Sequence, residues 1–356
     1  MNLLSGDPPR GRPLQILLAF VVLALVLAPF LFPGAKALNV AAKTCVMILL
    51  AASYDLLLGY AGIVSFAHVM FFGVGAYGVG LALYGMGASW GALAIGLVAA
   101  AALSLMLALT IGLFSLRVQA IFFAMVTLAV AYAFNVLASQ LSWLTGGEDG
   151  RSFKVPEVLQ PGFRLIEGKV FGVAVNGRVL TYYLVFVVVA AAFLALLRIV
   201  NSPFGRVLQA IRENPFRAEA LGYRTVFHRT LATAISALGA TLAGALSALW
   251  LRYVGPDTAL SFSIQVDVLV MVVVGGMGSL YGAILGAALF VFAESYLRDV
   301  MGALSDAASQ ASLPVLPALF HPDRWLMWLG LAFVLAVYFA PAGIVGAFKR
   351  GEAKAT

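Results

Sequence analysis

Apolar runs about as long as a bilayer is thick follow one another along almost the whole chain, and this succession constrains every other reading. A helix crossing the hydrocarbon core needs about 20 apolar residues. Runs of this kind occupy 14–33, 37–58, 63–84, 90–114, 118–139, 180–199, 231–253, 264–276, 280–299 and 325–346. Of 356 residues, 63% are hydrophobic and only 10% charged, whereas roughly a quarter of a soluble domain is charged. No soluble fold of this length can hide so much apolar surface, so lipid is the solvent for most of the chain. A cytosolic enzyme, a secreted disulfide scaffold and a disordered protein are excluded. The fold expected is all-α and polytopic, with about ten transmembrane or re-entrant helices.

The charges fall between the runs. Twenty-two Lys and Arg against 15 Asp and Glu leave a net charge of +7, but the basic residues are spread as topology signals and not clustered as a nucleic-acid surface. Lipid is therefore an expected partner and nucleic acid is not. Arg10 and Arg12 precede the first run, and Lys349, Arg350 and Lys354 follow the last. The positive-inside rule places both flanks, 1–13 and 347–356, in the cytoplasm around a membrane body spanning 14–346. An even number of crossings is then required. Segment 264–276 is too short to cross as a regular helix and ends in Gly275-Gly276-Met277-Gly278-Ser279. Reading 264–299 as one long span gives an odd total, so a pair, crossing or re-entrant, is expected. Segment 140–179 is then external and nearly neutral, while 200–230 is internal and carries Arg206, Arg212, Arg217, Arg224 and Arg229, with Arg198 and Arg117 on the same side.

Arg10, Arg12 and the small-residue stretch Ala35-Lys36-Ala37 have the outline of a secretory signal, but the run 14–33 is long for one, and an uncleaved first span is expected. Cys45 is the lone cysteine, which rules out a disulfide within the chain. In the external segment, Thr145-Gly146-Gly147-Glu148-Asp149-Gly150 suggests a structured loop, and Val173 to Val179 suggests a small hairpin turning at Asn176-Gly177.

Three clusters stand out. In the internal segment, Ser202 to Gly222 reads as two short helices. Val207, Leu208 and Ile211 form an apolar stripe on the first; Asn214 caps the second, Pro215 suits its first turn and Gly222 ends it. A helix pair with charged and apolar faces suits docking of a cytosolic partner through Gly205, Arg206, Arg212, Glu213, Asn214, Arg217, Glu219 and Gly222. An ordinary positive-inside loop would account for the arginines but not for the helix signals.

The second cluster runs from Tyr54-Asp55 through Gly59, Gly62, Ser65 and His68 to Gly78. Its polar and glycine interruptions of an apolar run imply a discontinuous helix lining a cavity. Ionisable residues within spans are costly and are default functional candidates: here Asp55, His68, Asp267 and Glu294. Each has a structural alternative, since Asp55 and Asp267 can lie near interfaces, His68 can bond a neighbouring helix and Glu294 can be paired. The third cluster, Val272 to Ala287, repeats glycine at short intervals, suited to tight helix packing or a flexible membrane turn, and makes Gly275, Gly276 and Ser279 candidates for gating.

Nothing here resembles an active centre. No Gly-Lys-Ser/Thr occurs, and the pair Lys43-Thr44 follows alanine in an apolar stretch. His68, His228 and His321 are far apart and no metal set is expected. No catalytic residues, and no cofactor bound by this chain, are expected.

Taken in order, these clusters resemble the permease subunits of branched-chain amino acid ABC importers, the leucine/isoleucine/valine type. The resemblance rests on Leu56-Leu57-Leu58-Gly59-Tyr60-Ala61-Gly62 with Ser65, on Phe71 to Tyr77, on Phe123 to Ala129, on Thr145 to Gly150, on Ser202 to Gly222 and on Val274 to Gly282. The Thr-Gly-Gly-x-Asp-Gly stretch points to the M-type subunit over its H-type paralogue. The resemblance implies a bacterial inner-membrane location, a homologous H-type permease, a periplasmic solute-binding protein, and two cytosolic ATPases that use ATP and Mg. It also implies that Ser202 to Gly222 is the coupling segment. Two positions depart from the family pattern: Asp55 stands where asparagine is common and Ile63 where glutamine is common. Relatives of this kind are also associated with urea, short amides and organic acids, so the class of protein is implied more firmly than the solute. A secondary transporter, with Asp55, Asp267 and Glu294 as its evident acids, is the alternative, and a membrane-embedded enzyme a more remote one.

Overall fold

The computed structural model describes residues 12–31, 34–115, 120–170, 173–310, 320–340 and 342–346. Arg10, Arg117, Lys349, Arg350 and Lys354, used above for topology, lie outside the described residues. Ten stretches among the described residues are helical, long and apolar enough to cross a membrane, and they coincide with the ten apolar runs. The helices are α1 (Arg12–Leu31), α2 (Ala35–Asp55), α3 (His68–Met86), α4 (Trp90–Ser115), α5 (Ala120–Gln140), a short α6 (Ser142–Thr145), α7 (Gly177–Val200), α8 (Pro203–Glu213), α9 (Pro215–Ala220), α10 (Thr225–Leu251), α11 (Pro256–Ala259), α12 (Phe262–Gly275), α13 (Leu280–Gln310) and α14 (Trp325–Phe339).

Residue size sorts these helices into an inner and an outer set. α2 is the central post: from Ala41 onward nearly every side chain is buried, and α7, α10, α12 and α13 pack around it. α3 and α10 approach so closely that a Cβ on Gly75 would lie 1.9 Å from the Thr241 carbonyl oxygen, and one on Gly244 would lie 1.8 Å from that of Phe72. With lipid as apolar as any side chain, such small-residue contacts supply the packing that burial supplies in water. α1, α4, α5 and α14 instead turn large residues outward, among them Ile16, Phe20, Ile121, Phe122, Met125, Leu326 and Val334. α1 is tied to the body by the hydroxyls of Tyr182 and Tyr183 on α7, which donate to the carbonyls of Leu25 and Val26.

The short eighth run is lengthened into a broken helix long enough to cross. α11 and α12 together cover Pro256–Gly275, 20 residues, interrupted at Leu260 and Ser261. α12 then packs antiparallel on α13, with Gly275 facing the Gly282 carbonyl and Gly286 the Met271 carbonyl, where added Cβ atoms would sit at 2.0 and 1.9 Å. Segment 264–299 is therefore a pair of helices joined by the turn 276–279, as the parity argument required.

Tertiary contacts define two ends. At one, here the α8 end, residues 59–62, Arg212, the turn 276–279 and Ala342 to Val345 come together. At the other, here the cap end, 141–163 packs on 252–260. β1 (Arg151–Ser152) pairs antiparallel with β4 (Tyr253–Val254), and the Tyr253 hydroxyl donates to the Asp149 carbonyl at 2.8 Å. A hairpin is present but not where Asn176-Gly177 suggested. Its strands are β2 (Arg164–Val170) and β3 (Val173–Asn176), with Arg164 opposite Asn176. Asn176 is instead the N-cap of α7, its side-chain oxygen accepting from the Val179 N–H at 3.2 Å. Asparagine before glycine serves a turn or a cap equally well, and the long apolar run that follows decides for the cap.

Candidate functional site

α2 does not end cleanly. Past Asp55 it widens into a π turn, Leu56–Tyr60, reverses at Gly62 (φ +67°) and climbs back into the bundle as irregular, non-helical chain before α3. Burial alternates along this climb: Ile63, Ser65 and Ala67 are buried, whereas Gly62 and Val64 are exposed. Non-helical backbone at membrane depth is tolerated only when protein satisfies its polar groups. The Phe66 N–H donates to Thr127 Oγ1 on α5 at 3.1 Å. The Val69 N–H donates to Gln265 Oε1 on α12 at 3.1 Å, and Gln265 Nε2 returns a bond to the Ser65 carbonyl at 3.4 Å. Ser65 Oγ takes the Ala67 N–H at 3.3 Å, so this serine holds its own segment in place.

His68 is buried at the start of α3, 2.9 Å from Ser53 Oγ on α2. Ser53 Oγ also reaches the Leu50 carbonyl at 2.8 Å. This makes the histidine a tie between α2 and α3.

At the α8 end, three sequence clusters read separately above become one site. The turn between α12 and α13 bends at Gly276 (φ +116°) and Gly278 (φ +80°), which brings the Gly278 N–H to Asp55 Oδ1 at 2.9 Å. A Cβ on Gly59 would lie 2.1 Å from that oxygen and 2.3 Å from the Gly278 nitrogen, so glycine at 59 is what lets the turn reach the carboxylate. The Ser279 main chain faces the same carboxylate. Arg212, on the last turn of α8, donates through its guanidinium to the Gly59 carbonyl. Its stem lies over Gly62, where a Cβ would be 2.9 Å from Arg212 Cγ. Gly276 backs onto the Ala342 carbonyl, whereas Gly275 is a packing contact between α12 and α13.

Arg212 reaches this site because α8 and α9 form the pair the sequence suggested. Asn214 caps α9 by accepting from the Arg217 N–H at 2.9 Å, and Gly222 (φ +91°) follows its end. Leu208 and Ile211 are buried under α8, while Val207 is half-buried. Gly205 is fixed by packing, since a Cβ there would lie 2.0 Å from the Val200 carbonyl. Arg206, Glu213 and Arg217 are exposed, and beside them Phe216 and Leu221 are 83% and 73% exposed. Glu219 is engaged within the segment, accepting from Thr225 Oγ1 at 2.5 Å.

Asp267 and Glu294 do not join this site. They face Lys43, whose ammonium bonds both carboxylate oxygens of Glu294 at 2.7 Å, towards the other half of the helices. Lys43, Gln265, Ser53 and Thr127 were not singled out from the sequence, although Lys43 and Gln265 each interrupt an apolar run. Among the described residues no group of three or more His, Cys, Asp or Glu is placed to hold a metal ion.

The family model described as branched-chain amino acid transport system / permease component matches residues 36–345, which include every element of this site. The chain belongs to that family. It is a membrane-spanning permease subunit of the ABC-importer class. It is 31% identical over 299 residues to the high-affinity branched-chain amino acid transport system permease protein LivM of Salmonella typhimurium, covering 80% of this chain and 68% of that one. The LivM protein of Escherichia coli is similar to the same extent, 31% over 79% of this chain and 68% of its own. The corresponding BraD protein of Pseudomonas aeruginosa is 26% identical over 77% of this chain and 89% of its own. No solved structure matches. These relatives are transport permeases, M-type by name in the first two cases, and they do not favour the secondary-transporter reading.

Proposed function

We propose that the chain works as the M-type permease of a bacterial inner-membrane importer, with α8 and α9 as the surface on which a cytosolic ATPase seats. The observation that carries this reading is the exposed apolar pair Phe216 and Leu221, on a helix pair whose Arg206, Glu213 and Arg217 are exposed as well. Both residues lie outside the ten spans. Bare aromatic and aliphatic side chains amid charge mark an interaction surface, and residues of this kind dominate protein–protein affinity. In this arrangement both flanks lie in the cytoplasm, the cap end faces outward to a solute-binding protein, and a homologous H-type permease completes the pathway. The solute is a branched-chain amino acid, in keeping with the names of the relatives. The ATPases use ATP and Mg, while Val64 and Phe66 line the path with Phe262, whose ring lies 6.1 Å from that of Phe66.

Copurification from native membranes tests this. Two nucleotide-binding subunits and a second permease are expected with the wild-type chain, and F216E/L221E is expected to lose the ATPases while still inserting. Recovery of the wild-type chain alone would overturn the reading.

A further inference from the structure

On the reading that α8 and α9 receive an ATPase, a question remains as to how their motion enters the membrane. Of the side chains on these two helices, Arg212 reaches the broken helices, whereas Glu219 is tied to Thr225. Its partner, the Gly59 carbonyl, belongs to the π turn. Such turns recur at functional sites because a widened turn frees backbone groups and bends easily. Gly278 closes the same arrangement: a Cβ there would lie 3.2 Å from Arg212 Nη1 and 3.2 Å from the Gly59 oxygen. Arg212, Gly59, Gly278 and Asp55 thus bring together α8, the end of α2 and the turn between α12 and α13.

Asp55 is fully buried, and its Oδ2 has no hydrogen-bond partner. A buried carboxyl gains from a cation nearby, and the Arg212 guanidinium, held on the Gly59 carbonyl beside it, is the cation that acts on it. The contacts at the centre involve glycines, so no interlocked side chains have to repack when they part. Beside it, residues 61–69 are held by a few isolated bonds, among them those to Thr127 and the pair to Gln265, and not by a continuous ladder. Segments held in this way open at low cost.

We infer that Arg212 is a positioning residue of the transport cycle, latching the π turn of α2 to the 276–279 turn through Gly59 and Asp55 so that movement of α8 shifts both together. Drawing α8 away removes the cation from Asp55, weakens its bond to Gly278 and frees both broken elements in one step. Pushing α8 back restores the latch.

The test uses the assembled complex, with partner permease and ATPases, in proteoliposomes carrying wild type, R212A, R212K, D55N and R212A/D55N. The readout is solute moved per ATP hydrolysed, taken with the amount of ATPase bound. R212A and D55N are expected to keep bound ATPase and hydrolysis while uptake per ATP falls about tenfold, within the usual range for coupling between sites. R212K is expected to recover part of the loss. The double variant is expected to be no worse than either single one, as for residues of one unit. Wild-type uptake per ATP in R212A would overturn the latch. Loss of bound ATPase from R212A would overturn it too, by making Arg212 a docking residue. A wild-type chain that binds no ATPase would be a failure of the underlying reading, visible before any substitution is made.

Discussion

The hydroxyl of Tyr182 donates to the carbonyl of Leu25, the acceptor that Pro29, four residues on, has no N–H to satisfy. Proline inside a helix removes the bond to the residue four before it, and in hydrocarbon no water can take its place. A donor from α7 does so here, and in doing so fixes α1 to the body of the protein.

Y182F is therefore expected to destabilise the chain by about 1–3 kcal/mol, the cost of an orphaned buried acceptor. P29A returns an N–H to the helix, so Y182F in the P29A background is expected to cost clearly less. Thermal unfolding in detergent across the four-variant cycle measures the difference; equal costs in both backgrounds would show that Tyr182 acts by packing alone.

The neighbouring glycines 275 and 276 are expected to behave differently. G275A forces a methyl group to within 2.0 Å of the Gly282 carbonyl, and rigid backbone cannot move aside as a side chain can. It is expected to lower the yield of folded protein, with a cost of about 1–3 kcal/mol or more from overpacking. A Cβ on Gly276 would be crowded but not overlapping, 3.1 Å from the Ala342 carbonyl, at a φ of +116°; G276A is expected to strain the turn, assembling while altering transport. Size-exclusion profiles and uptake assays on the two variants separate packing from gating.

Gln265 holds the irregular climb by a donor and an acceptor at once. Q265L leaves the Val69 N–H and the Ser65 carbonyl without it, at about 1–3 kcal/mol for each group, and Q265E restores the acceptor alone. Transport is expected to fall in the order wild type, Q265E, Q265L, with hydrogen exchange of residues 61–69 rising in the same order. Unchanged exchange in Q265L would show that the climb is held by other contacts.

Much of this was legible in the sequence, and the parts that were not share a cause. The ten spans follow from runs matched to the bilayer, the broken second span from Gly59, Gly62 and Ser65, and the α8–α9 pair from Asn214, Pro215 and Gly222, because all of these are local signals. The site itself joins residues far apart: Gly278 lies 223 positions from Asp55 and Arg212 lies 153 from Gly59. Asp55 was read as a pathway candidate and Arg212 as a docking residue, and spacing along the chain could not bring them together. Lys43 gave a signal, a lone charge in an apolar run, but its partner Glu294 is 251 positions away. The hairpin was displaced because Asn176-Gly177 carries both a turn and a cap signal.

The Lys43–Glu294 pair gives a test of that long-range contact. K43M leaves Glu294 and Asp267 without their cation, whereas K43M/E294L removes both members of the bonded pair and leaves Asp267 alone. Stranding one partner of a pair costs more than replacing both, so the double variant is expected to be the more stable of the two by thermal unfolding. A double variant less stable than K43M would mean that the pair contributes net stability.

The most direct measurement of the central claim is solute uptake into proteoliposomes holding the chain with its partner permease and ATPases. Labelled leucine is supplied with the binding protein, under ATP or under an ion gradient. Uptake that requires ATP and Mg, and that collapses in F216E/L221E, is the expected result. Uptake by this chain without ATPases, driven by the gradient, would contradict it and make the protein a secondary transporter.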